Sequence, residues 1–160
     1  MGFFKKIYSS WKPVQEEKYE QISELLKEKL KEANSMIDYG IGHGWFEEHL
    51  EKKKLLPERV VGVEVDKEIE KKDYVKYIFT KKLNEEETKE HGKHDLVVAI
   101  DSFHLINDFS RLEAAAKEGG LIVIALPKSK AYLLEKINKK PLFRGEIGSR
   151  EKDILVIYRK

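Results

Sequence analysis

Six strand-length apolar segments punctuate the chain from Ser35 onward: Met36–Tyr39, Val60–Val65, Val75–Phe79, Leu96–Ile100, Leu121–Leu126 and Ile154–Tyr158. Most are apolar throughout rather than at alternate positions, and a strand of that kind is covered on both faces. Helix signatures lie between them. Asn84 stands three residues before Glu87 in a stretch closing at Gly92, and Ser110 three before Glu113 in a stretch closing at Gly119-Gly120. Each pairs a capping-box start with a glycine stop, which predicts two short helices. Alternating strands and helices imply a parallel sheet with right-handed crossovers. The expected fold class is therefore α/β, with a doubly wound, mostly parallel, seven-stranded sheet. Its last part comes from the tail. A helix from about Ser129 to Asn138 leads into Leu142–Glu146, and the turn-rich Gly148-Ser149-Arg150 separates this segment from the final strand. Two strands so close in sequence pair antiparallel, as a hairpin at the sheet edge.

Ahead of the sheet, Tyr19, Ile22, Leu25, Leu26 and Leu30 recur at three- and four-residue steps and mark an amphipathic helix from about Gln15 to Glu32. The expected organisation is a helical arm, residues 1–34, on one α/β domain, residues 35–160. No apolar run approaches the roughly 20 residues that cross a bilayer. Met1–Lys12 lacks the apolar core and small-residue cleavage site of a secretory signal. Cysteine is absent, so disulfides, thiolate metal sites and thiol nucleophiles are excluded together. These features point to a cytoplasmic protein, and its abundance of Lys and Glu is thermophile-like. A net charge of +2 is too small to argue for a DNA partner. Residues 128–160 nevertheless carry ten Lys and Arg against four Asp and Glu. That basic tail reads either as a solvated surface or as a docking face for an anionic acceptor.

In open α/β sheets ligands bind at the carboxyl ends of the strands, beside the switch point. The first strand ends there in Asp38-Tyr39-Gly40-Ile41-Gly42-His43-Gly44. Glycines at alternate positions allow a sharp turn and leave main-chain atoms open to a ligand that side chains would block. The second strand closes on Glu64, 24 residues after Gly40, about where a carboxylate that accepts two ribose hydroxyls belongs. Asp66 is a substitute for that role, although Asp66-Lys67-Glu68 also reads as a helix N-terminus. The fourth strand ends in Asp101-Ser102-Phe103-His104, which brings a carboxylate, an aromatic ring and an imidazole to the same edge. Neither a zinc-protease His-Glu-x-x-His nor a Gly-Lys-Ser/Thr phosphate loop is present, and no metal site is expected.

At this point the chain resembles the class I S-adenosylmethionine-dependent methyltransferases. Their motif I, acid-x-Gly-x-Gly-x-Gly, matches Asp38 to Gly44, and their second-strand ending is similar to Gly62-Val63-Glu64. Asp95-Leu96-Val97-Val98 through Leu105, Arg111-Leu112 and Gly119-Gly120-Leu121 follow in the family's order, as does the closing hairpin. The likeness spans roughly Ser35 to Lys160. It implies that S-adenosyl-L-methionine is the cofactor. Gly40, Ile41 and Gly42 would line its methionine and ribose portion, within the cradle that runs to Gly44, and Asp38 would hold the loop or reach the cofactor amine through water. Glu64 would take the ribose hydroxyls, Val65 would pack on adenine and Asp101 would sit beside the methionine end. Two departures stand out. Thr80-Lys81-Lys82 follows the third strand where many relatives carry an acid that meets adenine, and the Asn/Asp-Pro-Pro-aromatic motif of base methylases is replaced by Asp101-Ser102-Phe103-His104.

The expected activity is methyl transfer to a small molecule or RNA, with no membrane partner. His104 is the candidate catalytic base where the acceptor is protonated at neutral pH. His43 is expected to contact cofactor or solvent, while Trp45, Phe46 and Trp11 wall the pocket or pack. His91 and His94 are expected on the surface at the opposite edge, and the apolar Met1–Trp11 arm either lids the pocket or meets a neighbour. Two other classes compete. A nicotinamide-dependent oxidoreductase needs a third loop glycine where Trp45 stands. A catalytically silent cofactor-binding scaffold accords with the short chain, which has no insertion after the fourth or fifth strand.

Overall fold

Continuous apolarity turns into burial on both sides of a single sheet. The computed structural model describes residues 2–84 and 92–160. Its strands are β1 Ser35–Tyr39, β2 Arg59–Glu64, β3 Val75–Phe79, β4 His94–Ile100, β5 Ala116–Pro127, β6 Phe143–Ile147 and β7 Asp153–Arg159. They lie in the order β3-β2-β1-β4-β5-β7-β6. The first five pair in parallel, while β7 runs antiparallel to both β5 and β6. This is the expected α/β sheet, with the hairpin folded so that the last strand lies inside and β6 forms the edge. Because β1 is flanked by β2 and β4, its carboxyl end is the switch point of the sheet, where ligand crevices form in open α/β folds.

Helices α1 Gly2–Leu25, α2 Lys27–Glu32 and α3 Trp45–Lys52 cover one face. There Tyr19, Ile22, Leu26, Leu30, Phe46 and Leu50 pack with Met36, Val60, Leu96 and Val98. On the other face α4 Phe103–Ile106, α5 Phe109–Ala115 and a 3₁₀ helix Lys128–Lys136 pack Phe103, Ile106, Leu112 and Leu134 against Ile37, Val61, Val97 and Ile122. Sequence neighbours such as Met36 and Ile37 go to opposite faces, as the two-residue period of a strand dictates. Each fully buried aliphatic side chain contributes about 1.5–3 kcal/mol. No helix among the described residues is long and apolar enough to cross a membrane.

Local signals and tertiary structure part company at four places. The first helix begins at Gly2 rather than near Gln15, continues through Pro13 and breaks at Leu26, where α2 takes over. The double glycine Gly119-Gly120 does not stop a helix. α5 ends at Ala115, and the register of β4 on β5 jumps from His94↔Ala116 to Leu96↔Leu121. The glycines occupy that bulge, where Gly119 adopts φ +78° and a Cβ on Gly120 would lie 2.9 Å from the Lys117 carbonyl oxygen. Asp66 starts no helix; its Oδ1 accepts the Glu68 N–H at 2.9 Å in a local turn. His94, expected on the surface, is fully buried at the head of β4. The helix expected over Asn84–Gly92, with His91, lies outside the described residues.

The arm is bound to the far end of the chain. Lys18 in α1 and Asp153 in β7 form an ion pair at 3.0 Å with both side chains almost completely buried. Beside it the Gln21 Oε1 accepts the Gly148 N–H at 2.6 Å, and Ser149 Oγ donates to Glu17 Oε2 at 2.9 Å. Removing one partner of a buried ion pair strands the other charge. Lys18→Met is therefore expected to lower unfolding free energy by about 3–5 kcal/mol in urea titrations, and Lys18→Met with Asp153→Asn to recover part of that loss. A single variant as stable as the parent would refute the strut.

Candidate functional site

The crevice is built around backbone. Gly40, Gly42 and Gly44 take φ of +79°, +58° and +70°, a region that L side chains avoid. At Gly40 a second reason is steric, since a Cβ would lie 2.7 Å from Ser102 Cβ. Ser102 Oγ donates to the Tyr39 carbonyl at 2.5 Å, and the Gly40 N–H donates to the Val63 carbonyl at 2.7 Å. The end of β1 is thereby pinned to both neighbouring strands. A Cβ on Gly42, by contrast, would meet nothing within 4 Å, so this main chain faces open space. Gly44 then opens α3 as its N-cap.

Glu64, at the end of β2, turns its carboxylate onto the loop. Oε1 accepts the Gly42 N–H at 2.9 Å, while Oε2 accepts the N–H groups of Val65 at 2.7 Å and Asp66 at 2.9 Å. Val65 itself is 41% exposed beside it. Ile41 behaves differently from its neighbours. Its side chain is buried in the core and fills the space that Gly62 leaves, where a Cβ would lie 2.7 Å from Ile41 Cδ1. Only its main chain remains at the crevice.

Behind the loop two acids meet. Asp38 is buried, and burial pushes its carboxyl up to about 6, moderated by a hydrogen bond with Glu47 and reinforced by the charge of Glu64. Glu47, in the first turn of α3, is fully buried, and burial followed by the charge of Asp38 holds its carboxyl well above the usual range. Neither Glu47 oxygen meets a donor among the described residues. A proton on Glu47 reconciles these facts, because it makes that carboxyl the donor to Asp38.

A second carboxyl pair stands at the end of β4. Asp101 adopts φ +57°, and its N–H donates to the Ala125 carbonyl at 2.8 Å. Burial, then Asp153, pushes its carboxyl up to about 7, against the pull of Lys18 and Lys130. His104 lies one turn on in α4, partly buried, with Nδ1 lacking a hydrogen-bond partner among the described residues. Burial, with Lys130 nearby, lowers its imidazole below the usual value.

The structure thus gathers Asp38, Gly40, Gly42, Gly44, Glu64, Val65 and Asp101 at one edge of the sheet, with His104 beyond Asp101. His43 stacks on Trp45 with ring centroids 5.8 Å apart; Phe46 belongs to the core, whereas Trp11 is half-exposed. Sequence reasoning missed Glu47, Asp153, Lys18 and Ser102. Glu47 carried a faint signal: it lies three residues before the apolar Leu50, on the helix face that points inward. A groove of about 720 Å³ lined by Asn34, Arg59, Asp73, Lys76 and Lys93 lies at the amino ends of the strands, the edge opposite the loop and the wrong one for a ligand in an open α/β sheet.

A family model described as a methyltransferase domain matches residues 11–149. No curated protein matches the chain in sequence. Among solved structures, it is similar to a putative hemolysin from Streptococcus thermophilus (TM-score 0.66, 15% identity, covering 91% of this chain and 66% of that one). It is similar too to a SAM-dependent methyltransferase from Aquifex aeolicus (TM-score 0.60, 18% identity, 84% and 88% covered). A third neighbour is M. capricolum TrmK in complex with S-adenosyl-homocysteine (TM-score 0.56, 15% identity, 84% and 67% covered). The chain spans just under two thirds of the hemolysin's length.

The buried acid has a measurable signature. An acid whose carboxyl is raised on folding costs stability as pH climbs from its unfolded value toward its folded one. Glu47→Gln, which keeps the shape and a donor for Asp38, is therefore expected to gain on the parent by up to about 1.4 kcal/mol per pH unit above about pH 5. Urea titrations across that range test this, and a gap that does not widen would refute a buried, protonated Glu47.

Proposed function

The chain belongs to the methyltransferase domain family, and from that premise we propose that the crevice above its glycine loop binds S-adenosyl-L-methionine for methyl transfer to a small molecule or RNA. One observation carries this: the Glu64 carboxylate faces the loop and holds the Gly42 N–H, at the strand end where a sugar-binding acid belongs. The fit is supported by the open space at Gly42 and by the absence of a side chain where a ligand would meet main chain.

In this reading Gly40, Gly42, Gly44 and the main chain of Ile41 line the methionine and ribose portion, while Asp38 holds the loop from behind. Glu64 exchanges its contact with Gly42 for ribose hydroxyls, Val65 packs on adenine, and Asp101 faces the methionine end. The cofactor supplies a methyl group already activated on a sulfonium, so the chain's task is alignment and exclusion of water. His104, neutral at physiological pH because its imidazole is lowered, accepts a proton from the acceptor where one must leave. Residues 1–34 serve as a helical arm of the cofactor domain, residues 35–160. The basic tail favours an anionic acceptor, and a chain without cysteine suits the cytoplasm.

Titration calorimetry is expected to detect binding of S-adenosylmethionine and its demethylated product but not of NAD. Glu64→Ala should weaken that binding about tenfold or more, as loss of a charged hydrogen-bond acceptor predicts; unchanged affinity would remove the ribose role. His104→Gln should leave cofactor affinity intact and lower turnover about 100-fold. Parental activity should fall as pH drops below the imidazole's lowered value. With labelled donor and cell extract, methyl incorporated into the RNA or the small-molecule fraction identifies the acceptor. No incorporation into any fraction would favour a silent scaffold.

A further inference from the structure

We propose that the groove at the amino ends of the strands is a docking site for RNA, with cations for its phosphates and acids for its ribose hydroxyls, and that RNA is the acceptor. The acceptor assignment rests on the methyl-transfer reading above; the groove stands on geometry of its own.

The groove, about 720 Å³ in volume, lies across five neighbouring strands. Four of them bring an exposed cation to its lining: Lys76 in β3, Arg59 in β2, Lys93 directly before β4 and Lys117 in β5. In the order β3-β2-β1-β4-β5, with about 4.8 Å between neighbouring strands, the row spans about 19 Å, so it suits a chain of phosphates rather than one. Its charges are thinly answered. Lys76 and Lys93 have no ion-pair partner among the described residues. Lys117 reaches Asp95 Oδ1 at 3.5 Å, but that carboxylate already accepts the Asn34 and Ser35 N–H groups at 2.9 and 3.2 Å. A Cβ on Gly92 would lie 3.7 Å from an Arg59 guanidinium nitrogen, which sets the guanidinium alongside the residue before Lys93. Like charges gathered in this way attract an anion between them.

Two acids, Glu58 and Asp73, share the lining. A surface for phosphate alone has no use for them. A carboxylate does accept hydrogen bonds from hydroxyls, and the ribose 2′-hydroxyl is the group by which a protein tells RNA from DNA. The mixed lining therefore favours RNA. A cofactor belongs at the carboxyl edge, whereas a polyanion needs only cations in a row. The five residues of β1, at about 3.3 Å each, put the groove about 17 Å from the glycine loop. An RNA chain bridges that distance and a small-molecule acceptor does not.

The test is fluorescence anisotropy of the full chain with a labelled uridine oligomer of about 15 nucleotides over a range of salt. The logarithm of affinity should fall with the logarithm of salt at a slope of about −2 to −3, as three or four phosphate contacts on a single strand require. Lys76→Gln with Lys93→Gln should flatten that slope by about 1.4, with the thermal midpoint kept as the folding control. A deoxy oligomer of equal length should bind about tenfold more weakly, and Glu58→Ala with Asp73→Ala should close that gap. Uridine monophosphate in excess should not displace the oligomer. A slope that the groove variants leave intact, or that Lys136→Gln with Lys140→Gln in the basic tail flattens instead, overturns the groove as the docking site. Equal affinity for the deoxy oligomer, or displacement by the monophosphate, overturns its assignment to RNA. Methyl label confined to the small-molecule fraction of an extract overturns the acceptor. All of these leave cofactor binding untouched. Expected oligomer binding by a chain that takes no S-adenosylhomocysteine removes the cofactor reading, and the acceptor with it, while the groove stands.

Discussion

Gly40 sits where three strands converge, and the distance of 2.7 Å between a Cβ there and Ser102 Cβ leaves no room for any side chain. The close approach lets Ser102 Oγ take the Tyr39 carbonyl, as β2 takes the Gly40 and Ile41 N–H groups through the Val63 carbonyl. With β1 held from both sides, the chain must turn within a few residues into α3, and three left-handed glycines make that possible. The crevice follows from this junction. Gly42 points its main chain outward because Gly40 is locked inward, and Glu64 closes the opposite wall because its strand pairs with β1 in register, Asp38 beside Gly62.

Around that junction the carboxyl edge is unusually acidic in its interior. Asp38 with Glu47, both buried, and the partly exposed Asp101 with the buried Asp153 form two carboxyl pairs, one behind the loop and one beyond it. They differ in their cations. Asp153 has Lys18 in direct contact at 3.0 Å, whereas Glu47 feels Lys72 through charge alone. Such groups lower stability, and natural proteins keep them where function requires them. Helix α1 serves both roles: it covers one face of the sheet with Tyr19 and Ile22 and, on the same helix, carries Lys18 to the start of β7.

Much of this was legible from residue order. The strands stood out because burial on both faces demands continuous apolarity, and the observed boundaries agree with expectation to within a residue or two except at β5. There the glycines that looked like a helix stop occupy a bulge, a difference that depends on how β5 meets β4 rather than on anything local. Asp66 likewise carried a helix-start signature that a short β2-to-β3 connection had no room to use. Ile41 matched the loop motif by position, yet its side chain went to the core because Gly62 opposite left a hole for it.

The sequence by itself determined what depends on neighbours along the chain: the period of each strand, the glycines able to turn left-handed after β1, and the order of motifs that places this chain in its family. Only the tertiary structure decided which acids are buried side by side and which lysine answers them. Lys18 and Asp153 lie 135 residues apart, and Glu47 reads as an ordinary first-turn acid until the face of α3 that meets the sheet is known. Burial converts such residues from solvated charges into site chemistry. Burial is a property of packing between distant segments, so no local pattern encodes it.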